Sequence, residues 1–265
     1  MTMLRLIRLL TPVLLALALL AAPAAAVPAR SAPGELVYLA LGDSVPSGTG
    51  LTDGMGYPRR LGQQIADASG RTIRLLNRAR DGEQSAGVIA SQLADIRQVQ
   101  PELVTLTIGA NDFLLPAIEC AAASLDENPQ TQCSAPSLLS AVPLFERNLR
   151  AIVQQIVRET GASIAVTTYF NPFPRGSQCA PGLADVSLRF LNTTIADVVA
   201  EAGDRAMLVD LAPVFSGHEG REPVGWFSPN PTRIACTDIH PNGDGHEAIA
   251  QAFWQSLAPR LAVTH

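Results

Sequence analysis

The sequence predicts an α/β fold in which a parallel sheet of five strands is covered by helices on both faces, with right-handed crossovers. Three observations lead there. Short apolar runs alternate along the chain with segments whose apolar residues recur at helical spacing. The first and third of these runs each end in a glycine and a polar cluster, Gly42-Asp43-Ser44 and Gly109-Ala110-Asn111-Asp112. Across 265 residues no break in composition separates two folded units, and no internal repeat appears.

Leu36 to Leu41 reads as a buried first strand, broken at Gly42 by a sharp turn that lifts Ser44 to the carboxyl end of the sheet. A glycine-rich loop, Ser47 to Gly56, leads to a helix over Tyr57 to Ala68 with Tyr57, Leu61 and Ile65 on one face and Gly70 as its stop. Ile73 to Leu76 is the second strand, Asn77 to Gln84 a polar loop around Gly82, and Ser85 to Gln98 a helix closed by Pro101. Leu103 to Ile108 is the third strand. A long connection, Leu114 to Ser140, precedes an amphipathic helix with Phe145, Leu149, Ile152, Val153 and Ile156 on one face. Ile164 to Thr168, a helix over Ala184 to Ala202, and a fifth strand at Ala206 to Leu211 follow. After an aperiodic loop, Asp238-Ile239-His240-Pro241 leads into a last helix carrying His246, Ile249, Phe253 and Leu257. His246 reads there as a partly exposed face residue.

The N-terminus stands apart from this pattern. Arg5 and Arg8 precede an apolar run from Leu9 to Ala22, and Ala24-Ala25-Ala26 supplies the small residues of a cleavage site. At about 14 residues, interrupted by Pro12, the run is short of the roughly 20 needed to span a bilayer. The expected organisation is therefore a signal peptide (1–26), a linker (27–34) and one folded domain (35–265), a chain secreted as a monomer without stable membrane insertion. A formal charge of -5 and the absence of basic runs exclude a nucleic-acid footprint. Cys120, Cys133, Cys179 and Cys236 all lie in the mature part, so two disulfides are expected. Three pairings are possible; Cys120–Cys133 with Cys179–Cys236 is preferred, since each bridge then pins a long loop instead of crossing the core. No CxxC pair or finger-like spacing suggests zinc, and a metal set of His240, Asp244 and His246 lacks a carboxylate cluster to support it. No metal and no cofactor is expected.

Loops after parallel strands emerge at one edge of the sheet, so Ser44, Gly82, Asn111 and His240 can meet there despite their separation in sequence. Serine ester hydrolysis needs a hydroxyl nucleophile, an imidazole to take its proton, and donors aimed at the developing oxyanion. Each has a candidate in this set. In order and spacing, Gly42-Asp43-Ser44, the isolated Gly82, Gly109-Ala110-Asn111-Asp112 and His240-Pro241 resemble the four blocks of the SGNH (GDSL-like) hydrolases, in particular exported actinobacterial-type members. The resemblance runs from about Leu36 to Phe253. It implies a flavodoxin-like three-layer α/β/α sandwich, Ser44 as nucleophile and His240 as base. It also implies an oxyanion hole formed by the backbone N–H groups of Ser44 and Gly82 and the side-chain amide of Asn111. Asp43 and Asp112 read as structural, bonding local backbone.

One departure from the family pattern concerns the third member of the triad. The acid usually three residues before the histidine is replaced by Thr237, and the acid present, Asp238, is two before. Asp238 is the catalytic candidate, and the Thr237 carbonyl competes with it as acceptor for the imidazole. The expected substrate is a small-molecule or lipid ester, with Phe113, Leu114, Leu115, Phe170, Phe173, Trp226 and Phe227 either lining an acyl pocket or packing the core. A carbohydrate or phospholipid ester hydrolase and a glycan- or lipid-binding module without turnover are the alternatives.

Overall fold

A computed structural model describes residues 34–114, 135–176, 181–220, 225–228 and 240–261. The segments 1–26 and 27–33, all four cysteines, Leu115, Thr237 and Asp238 lie outside the described residues.

Five strands make one parallel sheet: β1 (Glu35–Gly42), β2 (Thr72–Asn77), β3 (Leu103–Thr107), β4 (Ser163–Thr167) and β5 (Ala206–Val209), in the order β2-β1-β3-β4-β5. That order is the flavodoxin-like one, with its reversal between β1 and β3. Strand β1 is buried from Leu36 onward and divides its side chains by the period of two that a strand imposes. Leu39 and Leu41 join one core, while Leu36, Tyr38 and Ala40 join the other.

Those two cores define the layers. On the first side the sheet is covered by α3 (Ser85–Gly87), α4 (Ile96–Val99), α5 (Ala135–Glu159) and α6 (Pro181–Glu201); on the second by α2 (Tyr57–Ser69), α7 (Ala212–Phe215) and α8 (Gly243–Leu261). A four-residue helix, α1 (Ser44–Ser47), carries the chain off the end of β1. Phe145, Leu149, Ile152, Val153 and Ile156 of α5 are all buried, as their spacing requires, and each such side chain contributes on the order of 2 kcal/mol of apolar burial.

Three readings of the sequence are corrected. The connection expected to reach Ser140 ends earlier, because α5 begins at Ala135 and accommodates Pro143 within it. The continuous helix expected over Ser85 to Gln98 is split by a π-helical turn, Val88–Gln92, in which Leu93 N–H reaches the Val88 carbonyl. His246 is fully buried, not a face residue, because α8 packs that face on the N-terminus of α2. Its Nδ1 accepts from the Tyr57 N–H at 3.1 Å, capping α2 where the Gly56 N-cap has no side chain to do so.

Candidate active site

The site is built at the carboxyl end of the sheet, where β1 and β3 diverge. Gly42 ends β1 with φ of 131°, and a Cβ there would lie 1.9 Å from the Thr107 carbonyl oxygen. Only glycine lets β1 and β3 stay paired to their last residues and still turn. Asp43 follows, anchored by its N–H on the same Thr107 oxygen at 3.1 Å. Its carboxylate accepts from Val45 N–H at 3.0 Å and from the Tyr169 hydroxyl, so it caps α1 and ties the turn to the end of β4. The bonds expected of Asp43 are present. Full burial outweighs these donors and pushes its carboxyl up to about 7. Ser44, next in line, is half-buried at the start of α1, its carbonyl taken by Thr49 N–H and the Ser47 hydroxyl.

The other loops close around it. Arg80 N–H bonds the Gly42 carbonyl at 3.1 Å, which lays the segment after β2 beside the serine turn and brings Gly82 to the same edge. Gly82 has φ of 73°, is exposed, and has open space where a side chain would stand. After β3, Asn111 sits in a π-helical turn (Ala110–Leu114) and donates one amide hydrogen to the Glu83 carbonyl at 2.8 Å. A carboxamide carries two such hydrogens, so one remains for a ligand. Asp112 accepts from the Ser85 N–H and hydroxyl, fixing this loop to α3, and burial raises its carboxyl. His240 is buried, with its Nε2 3.9 Å from an Asp81 oxygen, next to Gly82. A Cβ on Gly50, in the loop after Ser44, would come within 3.2 Å of His240 Cβ. Ser228 holds this joint: its N–H bonds the His240 carbonyl at 3.0 Å and its hydroxyl the Gly50 carbonyl at 3.3 Å. Ser44, Gly82, Asn111 and His240 thus lie on loops that touch one another.

The sequence profile of the GDSL-like lipase/acylhydrolase family matches residues 40–248. The chain belongs to that family. As a GDSL-type protein it is a carboxylic-ester hydrolase. A lipase of Streptomyces rimosus is 28% identical over 255 residues, covering 89% of this chain and 90% of the relative. Among solved structures, an extracellular lipase of Streptomyces rimosus superposes with a TM-score of 0.65 at 20% identity, over 83% of this chain and 99% of the other. A phospholipase A1 of Streptomyces albidoflavus gives 0.58 at 22% identity, over 83% and 98%. At these identities the two structures bear on the fold alone.

Within this GDSL-type hydrolase, the aromatics that offered an acyl pocket are largely core. Phe113, Phe170, Phe173 and Phe227 are buried, and Phe170 stacks on Phe215 with ring centroids 3.7 Å apart. Trp226 is half-buried and stacks on His218. An open cleft of about 620 Å³ between α6 and the ends of β4 and β5 is lined by Tyr169, Asn171, Leu188 and Asn192 among others, but not by Ser44, Gly82, Asn111 or His240. Among the described residues, no three His, Cys, Asp or Glu side chains group to hold a metal. The sequence reading did not single out Asp81, which stands beside Gly82 and approaches the His240 imidazole at 3.9 Å.

Proposed function

We propose that the chain is a secreted serine esterase that works through an acyl-enzyme. Ser44 attacks the ester carbonyl while His240 accepts its proton, and the N–H groups of Ser44 and Gly82 with the Asn111 amide receive the oxyanion. His240 then returns the proton to the departing alcohol, and water, deprotonated in the same way, releases the acid. The Thr237 carbonyl orients the imidazole, with Asp238 as an electrostatic helper. The observation that supports this reading is the meeting of four separate loops at the carboxyl end of β1 and β3, with Gly42 and Asp43 held by bonds to Thr107, Arg80, Val45 and Tyr169 just before Ser44. A surface turn needs no such support.

The preferred substrates are lipid or other apolar acyl esters, in keeping with the lipase relative and with an exported chain of low charge. Hydrolysis of p-nitrophenyl esters from acetate to palmitate tests this, with the best rate expected beyond acetate. An acetate-only profile would favour a sugar deacetylase instead. Ser44→Ala should keep the fold and lose activity by a factor on the order of 10⁶, and a residual rate above about a tenth of wild type would exclude Ser44 as nucleophile.

A further inference from the structure

Gln92 is a buried polar side chain that the proposed reaction does not use. It lies at the end of the π-helical turn Val88–Gln92, and its amide makes both bonds that a neighbouring strand would offer Gly42. Its oxygen accepts from Gly42 N–H at 2.8 Å, and its nitrogen donates to the Gly42 carbonyl at 2.8 Å. Both backbone groups of a residue in extended chain point to the same side, here toward β2. But β2 ends at Asn77, paired with Ala40, so β1 runs on past its neighbour by two residues. There the Gln92 amide stands in for the missing peptide, alongside the single bond from Arg80.

The same nitrogen lies 3.3 Å from a Glu83 carboxylate oxygen, and the Glu83 carbonyl receives the Asn111 amide. One side chain therefore touches the residue two before Ser44 and the residue that aims Asn111. Gln92 closes the π-helical turn, a local widening of the helix of a kind that recurs at functional sites. We infer that Gln92 is a positioning residue that sets the nucleophile turn and the Asn111 donor at a fixed separation. The inference rests on the catalytic reading above. It predicts a loss in the chemical step without a loss in binding, because misplacing reacting groups by about 1 Å can lower turnover by up to about 100-fold.

The test is Gln92→Met, which keeps length and volume and removes both bonds. Below its melting temperature, kcat for p-nitrophenyl butyrate should fall about 10- to 100-fold with KM within about twofold, and phosphonate inactivation of Ser44 should slow by the same factor. If that variant does not fold, Gln92→Asn serves, since it keeps an uncharged amide and withdraws it from Gly42 by one methylene. The same kcat-specific loss, smaller in size, is then expected. Wild-type kcat in the folded variants, with only the melting temperature lowered, would overturn the positioning role alone. A wild-type protein that neither turns over esters nor takes up phosphonate would overturn the catalytic reading, and the positioning role with it.

Discussion

Asp43 faces two opposed demands. Its carboxylate is the acceptor for Val45 N–H and the Tyr169 hydroxyl, yet it is fully buried, and burial is the larger effect, so its folded value of about 7 stands well above the ordinary carboxylate value near 3.9. A raised folded value means that the folded state holds the proton longer than the unfolded one. The associated stability is full below about pH 4 and is lost as pH rises through about 7, by a few kcal/mol in order of magnitude. Asp43→Asn, which can still accept from Val45 N–H while its amide donates to the tyrosine oxygen, should flatten this part of the stability curve. Urea denaturation at intervals between pH 4 and 8 measures it, and an unchanged slope would contradict the assignment to Asp43. The imidazole of His246 moves the opposite way: burial lowers it to about 4, so its contribution is full above about pH 6.5 and falls away in acid.

The strand-to-turn junctions are the elements on which the site depends, and the same device occurs twice. Gly42 at the end of β1 and Gly109 just after β3 both have φ near 130°, and both lack room for a side chain: the first meets the Thr107 carbonyl, the second Leu191 and the Phe145 ring. Gly42→Ala should therefore cost at least about 3 kcal/mol, because rigid backbone must move and φ is unfavourable as well. Chemical denaturation checks this; a loss under about 0.5 kcal/mol would mean that β1 and β3 are not held as described. These junctions were legible in the sequence because a glycine and a polar cluster interrupt an apolar run. The strands were legible for the same reason, with edges recovered to within two residues. Gln92 and His246 were not. A glutamine in an amphipathic stretch has the signature of a solvent-facing residue, and its partner at Gly42 lies 50 positions away. His246 caps a helix that begins 189 positions earlier, a contact with no local pattern.

The whole molecule is a doubly wound sheet whose topology collects loops from distant parts of the chain at one edge, and its larger organisation beyond that sheet is proposed from sequence. An exported chain with Cys120 bridged to Cys133 and Cys179 to Cys236 should lose about 3 kcal/mol for each bridge reduced. Peptide mapping under non-reducing conditions checks the pairing, and free thiols would exclude both bridges. The His240 loop is docked on Gly50 through Ser228 and the serine turn on β3 and β4 through Asp43, and the proposed function takes Ser44, between them, as the nucleophile. That claim is tested most directly by incubating the protein with a serine-reactive alkyl phosphonate and locating the adduct by peptide mass spectrometry. A single adduct on Ser44, absent from Ser44→Ala and formed at the rate at which activity is lost, is the predicted result. A protein that hydrolyses esters while its adduct lies on another residue, or that forms none, would contradict the account.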